Sequence, residues 1–415
     1  MVLDTRPVTD SPSDCAAWFR AVLTGFAQPP LLTEEQLDAH RRLMDLSRTV
    51  GVFEGDRCVA TYRSFDQQVT TVGGAALASN AVTGVTVLPT HRRRGLLSGL
   101  ITADLAAAKE RGDVVSTLIA AEYPIYGRFG FGPVTSHTSW EVTGTRAGVD
   151  PRWSGPECGG SISFADGAEV RKLGPGLHDR FRAGQPGAVN RRPLWWQRHT
   201  GEVDFGPDAW KEPFHVVYRD TDGEPQGLVT YRSDATWTGS MPDQRATVDR
   251  LIATTPAAER ALWHFLLSVD WVTVIAASGR GPDDLLPHLL PDPRAARARE
   301  HADFLWMRPL DIPRMLEARA YPAAGELVLD VTDPLGLTAG RYLLEVSPQG
   351  ASCTATTRGP DLSMDTGALS SLQFGDHTPA RLAALGRISE ERPGAVRRAG
   401  LLLHTGRRPW CPDGF

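Results

Sequence analysis

Cysteine is scarce in this chain and follows no spacing pattern. Five cysteines are spread over 415 residues, at Cys15, Cys58, Cys158, Cys353 and Cys411. An odd number of widely spaced cysteines argues against a disulfide framework. We therefore expect the cysteines to be small, buried apolar side chains.

Long apolar runs are also missing. No stretch reaches the length of about 20 apolar residues that a membrane-spanning helix needs. Residues 1–10 lack the basic region and apolar core of a secretory signal. We expect a soluble protein in the cytoplasm, with no membrane span. The net charge of −5 opposes general binding to nucleic acid or anionic membranes, although a local basic patch could still hold one phosphate group.

The sequence lacks the usual metal and hydrolase signatures. Its eleven histidines include no His-Glu-x-x-His arrangement, and no cysteines are paired, so we predict no metal. Residues 95–99 read Gly-Leu-Leu-Ser-Gly rather than Gly-x-Ser-x-Gly, which disfavours a serine hydrolase. Trp195-Trp196 beside Arg191-Arg192 could stack on nucleic-acid bases, but we favour buried aromatic side chains between domains.

The length of the chain predicts about three domains. In the first part, a capping box from Thr33 to Gln36 begins a helix, and residues 51–65 are typical of a hairpin that turns at Gly55-Asp56. A strand over residues 81–88 and a buried strand over residues 114–120 flank a second helix. The apolar face of that helix is formed by Leu97, Leu100, Ile101, Leu105 and Ala108.

The same order of elements returns later in the chain. Residues 214–233 form a second hairpin pattern, which ends in Thr-Tyr-Arg-Ser as residues 61–64 do. Residues 248–276 again give strand, proline, helix and strand. Residues 256–261, Pro-Ala-Ala-Glu-Arg-Ala, stand where the first copy has residues 89–95 with its arginine cluster and glycine. We interpret this as an internal duplication with one active and one degenerate copy.

The sequence pattern changes in the last part of the chain. Residues 292–300 are rich in arginine and predict a linker or, preferably, a solvated helix face. Strand patterns follow at residues 327–331, 342–346 and 353–357, which predict a third, α+β unit. We place the domains at residues 1–145, 146–300 and 301–415.

Residues 85–97, "VTVLPTHRRRGLL", place four basic side chains directly before a glycine at a helix start. A helix N-terminus presents unpaired N–H groups and about half a positive charge, so it binds anions. Glycine lets a ligand approach the backbone, and arginines add charge-assisted hydrogen bonds. The alternative interpretation is a solvated basic turn without a ligand.

The order of elements around this turn resembles the acetyl-coenzyme-A-binding core of the GNAT N-acetyltransferases. Arg92-x-x-Gly95-x-Leu97 is similar to the family's Gln/Arg-x-x-Gly-x-Gly/Ala signature and departs from it at the last position. Residues 125–132, "IYGRFGFG", resemble a second GNAT element. The degenerate copy and residues 362–375, "LSMDTGALSSLQFG", extend the resemblance over the full length to the enhanced intracellular survival (Eis) branch.

This resemblance implies an α+β protein with two fused GNAT-like mixed-sheet regions and a sterol-carrier-protein-like C-terminal domain. It implies transfer of acetyl from acetyl-CoA, as cosubstrate, to amines of aminoglycosides, polyamine-like compounds or lysine side chains. It also implies a homohexamer. The alternative function is a non-catalytic protein that binds a lipid or acyl-CoA through its C-terminal domain.

The resemblance further assigns roles to residues. The backbone of Val85, Thr86 and Val87 would pair with the pantetheine amides, and Arg92 would contribute a field or a salt bridge. Ala121 and Glu122 would contact the coenzyme. Tyr126 would protonate the leaving thiolate, and Tyr123 is the alternative candidate for this role. The C-terminal carboxylate of Phe415 would accept the proton of the amine. The diphosphate would be held by Arg93, Arg94, Gly95, Leu96, Leu97 and Ser98.

Overall fold

The computed structural model describes residues 2–30, 33–144, 148, 150, 152, 159–203 and 210–415. Up to residue 133 the strands are β1 (Leu3–Pro7), β2 (Thr49–Glu54), β3 (Arg57–Thr70), β4 (Ala76–Val87), β5 (Val115–Ile119) and β6 (Gly132–Pro133). The helices of this part are α1 (Pro12–Gly25), α2 (Glu34–Leu43), α3 (Leu96–Arg111) and α4 (Tyr123–Tyr126), with 3-10 turns at Leu46–Arg48, Pro89–His91 and Gly127–Phe129.

The middle part of the chain supplies a second set of elements. Its strands are β7 (Ser136–Thr143), β8 (Ser161–Ala165), β9 (Phe214–Arg219), β10 (Pro225–Ser233), β11 (Trp237–Thr238), β12 (Met241–Pro242), β13 (Gln244–Ala253), β14 (Val272–Arg280) and β15 (Ala296–Asp303). Its helices are α5 (Gly167–Ala183), α6 (Pro193–His199) and α7 (Pro256–Leu267), with 3-10 turns at Leu286–Leu289 and Pro293–Ala295.

The last part begins at residue 305. Its strands are β16 (Leu305–Pro309), β17 (Gly325–Thr332), β18 (Gly340–Ser347), β19 (Gly350–Ala355), β20 (Leu362–Asp365) and β21 (Ile388–Glu390). Its helices are α8 (Ile312–Glu317), α9 (Thr366–Gln373), α10 (Pro379–Ala384) and α11 (Ala395–Leu402).

Three mixed sheets organise these elements, and we name the units built on them the N-terminal, middle and C-terminal domains. The first sheet has the order β1-β2-β3-β4-β5-β16-β6, the second β15-β7-β14-β13-β10-β9-β8, and the third β19-β18-β17-β20-β21. In the first two sheets an antiparallel run leads to one parallel pair, β4 with β5 and β13 with β14. A helix, α3 or α7, connects each parallel pair. This repetition confirms the predicted repeat of hairpin, strand, helix and strand.

Two strands are exchanged between the first two sheets. β7 pairs antiparallel with β14, and β16 pairs in the same way with β5. The chain thus leaves the first sheet after β6 and returns to it at residue 305. The predicted domain boundaries at residues 145 and 300 would place β7 in the first domain and β16 in the third. In the structure, β7 belongs to the second sheet and β16 to the first.

Residues 292–300 do not form a helix, so that prediction was wrong. A 3-10 turn leads into β15, which pairs with β7 at the edge of the second sheet. Arg297 and Arg299 stay exposed on this edge strand, and Arg299 forms an ion pair with Glu141. The arginines therefore mark a solvated face, as expected, but the backbone hydrogen bonds are satisfied by a neighbouring strand rather than within a helix.

The apolar core runs through each sheet and continues between domains. The buried face of α3 includes Leu100, Ile101, Leu105 and Ala108, as predicted, with Leu97 packed less deeply. A second core joins β16 to the C-terminal domain through Leu305 and Met307. Cys15, Cys58, Cys353 and Cys411 are buried and free, as expected, and Cys158 lies outside the described residues. Among the described residues, no helix has the length and hydropathy to cross a bilayer.

Candidate active site

The candidate site begins where β4 and β5 separate. These strands pair only from Ser79 to Val82 on β4. Beyond that point Gly84 and Val85 together oppose the single residue Tyr62 of β3, and Gly84 has a φ of 60°. A bulge bends its strand, so residues 85–87 turn away from β5. Their backbone groups on the β5 side therefore remain available to a ligand that adds as a strand.

The N-terminus of α3 opens at the same place. Gly95 is the N-cap in the left-handed conformation, with φ 78° and ψ 0°, and no side chain caps the helix. The N–H of Gly99 makes the first bond within the helix, 3.0 Å to the carbonyl of Gly95. The N–H groups of residues 96–98 have no partner within the helix. Together with the helix dipole they form a site for an anion.

His91 and the arginines of the turn differ in burial. The His91 side chain is buried, with Nδ1 2.8 Å from Thr90 Oγ1 and Nε2 3.7 Å from the Glu54 carboxylate. Arg92, Arg93 and Arg94 are exposed. Arg93 has a φ of 64°, a left-handed conformation that is uncommon for a residue other than glycine. The histidine therefore anchors the turn while the arginines stay free to meet a ligand.

One cavity of about 640 Å³ lies against this turn. It brings together every residue predicted to contact the coenzyme: Val85, Thr86, Val87, Arg92, Arg93, Arg94, Gly95, Leu96, Leu97, Ser98, Ala121 and Glu122. Tyr126 lines it as well, and so do Gly25, Phe26, His91, Ile125 and Arg128. Ile125 and Arg128 belong to the segment 125–132 that the sequence had marked. Gly25 and Phe26 come from the end of α1, which carries no local signal of a site.

Gly25 brings α1 to the cavity because it has no side chain. A Cβ at this position would lie 2.4 Å from the Cβ of Thr86. The Thr86 hydroxyl is 2.7 Å from that of Thr61 and donates to the carbonyl of Ala21 at 3.3 Å. The close contact seals one wall of the cavity and leaves the half-exposed Phe26 at its rim.

The two candidate tyrosines of α4 have different surroundings. The Tyr126 side chain is 7% exposed and lines the cavity, and its hydroxyl makes no hydrogen bond to the described residues. Burial, and then the Glu122 carboxylate, raise the pKa of Tyr126 to about 12. Tyr123 is 59% exposed and packs its ring on Trp306 at 4.8 Å, outside the cavity. The geometry favours Tyr126 as the residue that faces a ligand.

Two glycines of the segment 125–132, Gly130 and Gly132, serve domain packing. A Cβ on Gly130 would lie 2.6 Å from Thr366 Oγ1, and one on Gly132 would lie 2.1 Å from the carbonyl of Gly367. Both contacts are to the start of α9 in the C-terminal domain. The buried Arg308 donates to the carbonyl of Phe129 and to both carboxylate oxygens of Asp333, at 3.0 and 2.8 Å. The C-terminal domain therefore fixes the turn that follows Tyr126.

The chain end crosses from the middle domain to the N-terminal domain. Trp410 donates from Nε1 to the carbonyl of Gly279 at 2.8 Å, and Asp413 accepts from Arg191 at 3.0 Å. The Phe415 ring then lies edge-on to Phe65 of β3, with centroids 5.7 Å apart. Gly414 is close to Ile119, the last residue of β5. The terminal residue thus reaches the first sheet, although it is not part of the lining of the 640 Å³ cavity.

The middle domain closes the equivalent helix start. Thr255 caps α7 by accepting a hydrogen bond from the N–H of Ala258 at 3.2 Å, and Pro256 removes one N–H from the first turn. Glu259 adds a carboxylate there, and burial raises its pKa. The two cavities bordering β13 measure about 50 and 20 Å³. Among the described residues, this helix start is therefore capped by a side chain, and neither of these two cavities has space for a coenzyme.

The remaining predicted features also have a place in the structure. Trp196 is buried, while Trp195 lies under the Arg191 guanidinium, 3.8 Å from ring centroid to Cζ. The interior cavity of the C-terminal domain, among leucines of β17, β18 and α9, measures about 10 Å³. In the part of the chain that the structure describes, no group of three or more His, Cys, Asp or Glu side chains could hold a metal ion.

Comparison with known families gives three successive matches along the chain. A family model described as an acetyltransferase (GNAT) domain matches residues 4–134, and another of the same description matches residues 187–309. A sterol carrier protein domain model matches residues 312–412. These matches confirm the predicted fold class.

Similar proteins cover most or all of the chain. An uncharacterized N-acetyltransferase of Streptomyces avermitilis is 54% identical over 414 residues, which is 100% of this chain and 99% of that protein. N-acetyltransferase Eis of Mycobacterium tuberculosis is 33% identical over 84% of this chain and 83% of its own length. The crystal structure of Eis1 from Mycobacterium abscessus superposes with a TM-score of 0.85 at 33% identity, covering 99% of this chain and all of the other.

Proposed function

The chain belongs to the Eis family of GNAT N-acetyltransferases, and from that premise we propose that the cavity between β4, β5 and α3 is its acetyl-CoA site. The observation that carries this proposal is the meeting of three features in one cavity. These are an uncapped helix N-terminus, a free strand edge at residues 85–87 and the hydroxyl of Tyr126.

In this proposal the coenzyme is held mainly by backbone groups. The N–H groups at the start of α3 take the diphosphate, and Arg93 and Arg94 add charge-assisted hydrogen bonds. Arg92 donates from Nε to the carbonyl of Val87 at 3.4 Å, so it supports the strand edge that pairs with pantetheine. Ala121 and Glu122 border the thioester end, next to α4.

The chemical step needs one proton donor and one proton acceptor. Attack of a neutral amine on the thioester forms the C–N bond and an oxyanion, and collapse breaks the C–S bond. Tyr126 gives its proton to the leaving sulfur and regains one from solvent. Its raised pKa keeps the hydroxyl protonated at neutral pH, which a donor requires.

The amine must lose a proton before or during attack. An alkyl amine with a pKa of about 10 is mostly protonated at pH 7. We assign its proton to the C-terminal carboxylate of Phe415, which the packing of Phe415 on Phe65 holds near the end of β5. A terminal carboxylate with a pKa of about 3.5 is a weak base, so a water relay carries the proton away.

The acceptors proposed from the family are aminoglycosides, polyamine-like compounds and lysine side chains. The same resemblance supports a homohexamer, and we keep the cytoplasm as the proposed location. Sedimentation of the purified protein tests the assembly, because a hexamer of 45.1 kDa chains differs clearly from a monomer or dimer.

A lipid or acyl-CoA carrier remains the second candidate function. It would need a cavity in the C-terminal domain, and the interior cavity described there, about 10 Å³, has room for about one water molecule and not for an acyl chain. Titration with a fluorescent fatty acid separates the two functions, since saturable 1:1 binding would favour the carrier.

Calorimetric titration with acetyl-CoA tests the proposed site. We expect one molecule per chain, because the middle domain lacks an open helix start. Two equal sites, or none, would contradict the proposal. Thiol release in the presence of a panel of amines then measures turnover.

A further inference from the structure

Two arginines of different domains meet at the aromatic ring that receives the chain end. The guanidinium carbon of Arg63 lies 5.8 Å from the centroid of the Phe65 ring, and that of Arg192 lies 4.4 Å from it. The Phe415 ring contacts the same Phe65 ring. Both cations therefore border the end of the chain to which we assign the amine's proton.

Neither arginine has a counterion within the described residues. The Nε of Arg63 is buried without a hydrogen-bond partner. Burial, followed by Arg192, lowers the pKa of Arg63, and burial lowers the pKa of Arg192. Asp45 and Asp66 act on these arginines only at longer range, since neither carboxylate forms an ion pair with them and Asp66 pairs with Arg48. Arg192 is exposed, whereas a buried polar nitrogen without a partner, as at Arg63 Nε, is costly. The pair therefore has unused hydrogen-bonding capacity for an anion.

Arg63 lies on a line from the coenzyme cavity to the chain end. Alternate residues of a strand share one face, at a spacing of about 6.6 Å. Tyr62 and Ser64 point to the other face, where both donate to the Asp104 carboxylate of α3. Thr61, Arg63 and Phe65 therefore follow one another on the face of β3 that carries α1. Thr61 contacts Thr86, which lines the cavity, and Phe65 contacts Phe415.

Arg192 is brought to this place by pairing between domains. Asn190 donates from its backbone N–H to the carbonyl of Gln68 at 3.1 Å and accepts from the Gln68 N–H through Oδ1 at 2.7 Å. This extends the end of β3 with a segment of the middle domain. The next residue, Arg191, pairs with Asp413 near the chain end. Its neighbour Arg192 has no ion pair with a carboxylate among the described residues.

We propose that Arg63 and Arg192 bind an acidic group of the acceptor. The proposal departs from the polycationic acceptors that the family suggests, the aminoglycosides and polyamine-like compounds. The preferred acceptor is instead an amine that also carries a carboxylate or phosphate, such as the free amino acid lysine. This inference rests on the proposed acetyl transfer. A second ammonium group would lie against two unneutralised guanidinium groups and be repelled, whereas a carboxylate would form paired hydrogen bonds with them.

Acceptors that differ only in the acidic group test the proposal. Thiol release is measured with lysine, with lysine amide and with cadaverine, which is lysine without its carboxylate. O-phosphoethanolamine and ethanolamine form the phosphate arm. We expect kcat/KM to be at least tenfold higher for lysine than for cadaverine, or at least tenfold higher for O-phosphoethanolamine than for ethanolamine. The pair with the larger ratio shows whether the site prefers a carboxylate or a phosphate. Equal or higher values for cadaverine and ethanolamine would overturn the proposal.

Variants separate anion binding from positioning of the chain end. Arg63→Gln and Arg192→Gln should each remove most of the preference for the acidic acceptor, mainly through KM, while the Kd of acetyl-CoA is unchanged. Arg63→Lys, which keeps the charge, should retain part of the preference. Arg358→Gln, an exposed residue of the C-terminal domain, is the matched control. An equal fall of kcat on all acceptors, with selectivity intact, would overturn the anion role.

Direct binding keeps this test independent of turnover. Lysine and cadaverine are titrated calorimetrically into the protein saturated with coenzyme A. If lysine binds more tightly than cadaverine and this difference weakens in Arg63→Gln, the anion site is supported even when no amine is acetylated. A lack of acetylation would count against the proposed function and not against the anion site. Equal binding of the two amines would contradict the anion site.

Discussion

The Asp413 carboxylate lies 2.9 Å from a guanidinium nitrogen of Arg191, and both side chains are almost fully buried. His178 adds its Nε2 at 3.5 Å from the second oxygen. Burial alone would raise the pKa of Asp413, but Arg191 and His178 outweigh it and hold that pKa well below its ordinary value. The chain end is thus tied to the middle domain two residues before it reaches Phe65.

Asp413→Asn should loosen the chain end. The substitution keeps the size of the side chain and leaves Arg191 buried without its counterion, which costs about 3–5 kcal/mol. We expect a lower melting temperature and at least a tenfold fall in kcat, with an unchanged acetyl-CoA Kd. Asp179→Asn, which breaks an exposed ion pair with Arg182, is the control and should change neither. Unchanged kcat in Asp413→Asn would contradict a positioning role.

Removal of the last residue tests the role of the terminal carboxylate. Deletion of Phe415, or a C-terminal tag, should abolish acetylation while acetyl-CoA still binds, because the cavity lining does not include Phe415. Phe415→Ala keeps a carboxylate without the ring contact to Phe65 and should lose less activity. Full activity of a tagged protein would assign the proton to an internal group.

Tyr126→Phe tests the proton donor. The ring and its packing stay, and the hydroxyl is lost, so we expect kcat to fall roughly a hundredfold with little change in acetyl-CoA affinity. Tyr123→Phe is the matched control, since that exposed tyrosine lies outside the cavity, and it should retain activity. Reversed effects in the two variants would move the donor to Tyr123.

The pH profile of kcat/KM should show no fall at alkaline pH caused by deprotonation of Tyr126. A donor is active in its protonated form, and the pKa of Tyr126 is raised to about 12, so the hydroxyl stays protonated up to about pH 11. The acceptor amine, with a pKa of about 10, loses its proton as pH rises. We expect kcat/KM to rise from pH 6 and level off near pH 10. A descending limb below pH 10 that disappears in Tyr126→Phe would contradict the shift.

Arg93 provides a test of diphosphate binding. Loss of a charge-assisted hydrogen bond, about 1.5–3 kcal/mol, should raise the Kd of acetyl-CoA at least tenfold in Arg93→Ala. Arg93→Gly relieves the left-handed strain while also removing the charge, so equal losses in both variants assign the effect to charge. Arg297→Ala, exposed on the edge strand β15, is the control. An unchanged Kd would leave the turn as a solvated basic segment.

Local patterns in the sequence predicted the parts of the fold that depend on neighbouring residues. The helical face of α3, the hairpin of β2 and β3 and the second copy of these elements appear in the structure because periodicity and turn residues act over a few positions. The residues proposed to hold the coenzyme were named from the resemblance to the GNAT family, which rests on local motifs. They lie in two short segments, one on each side of the split between β4 and β5.

Contacts between distant segments were decided only by the tertiary structure. The exchange of β7 and β16 has no local signature, because a strand's backbone can pair with any neighbouring strand and its sequence pattern does not name the partner. The glycines at 130 and 132 appeared as part of a catalytic motif, yet their missing Cβ atoms make room for α9. Phe26 joined the cavity through the packing of α1.

The arrangement of charges at the chain end was also decided only by the tertiary structure. In the sequence, Arg63, Arg191, Arg192 and Asp413 are ordinary charged residues far apart, and each has the same intrinsic preference for water. Folding brings them together and buries Arg191, Asp413 and the Nε of Arg63, while Arg192 stays exposed. Burial makes the pairing of a charge matter. Arg191 finds Asp413, while Arg63 and Arg192 find no carboxylate among the described residues. The sequence by itself determined the acetyltransferase core, and tertiary burial decided which of these cations stay unpaired beside it.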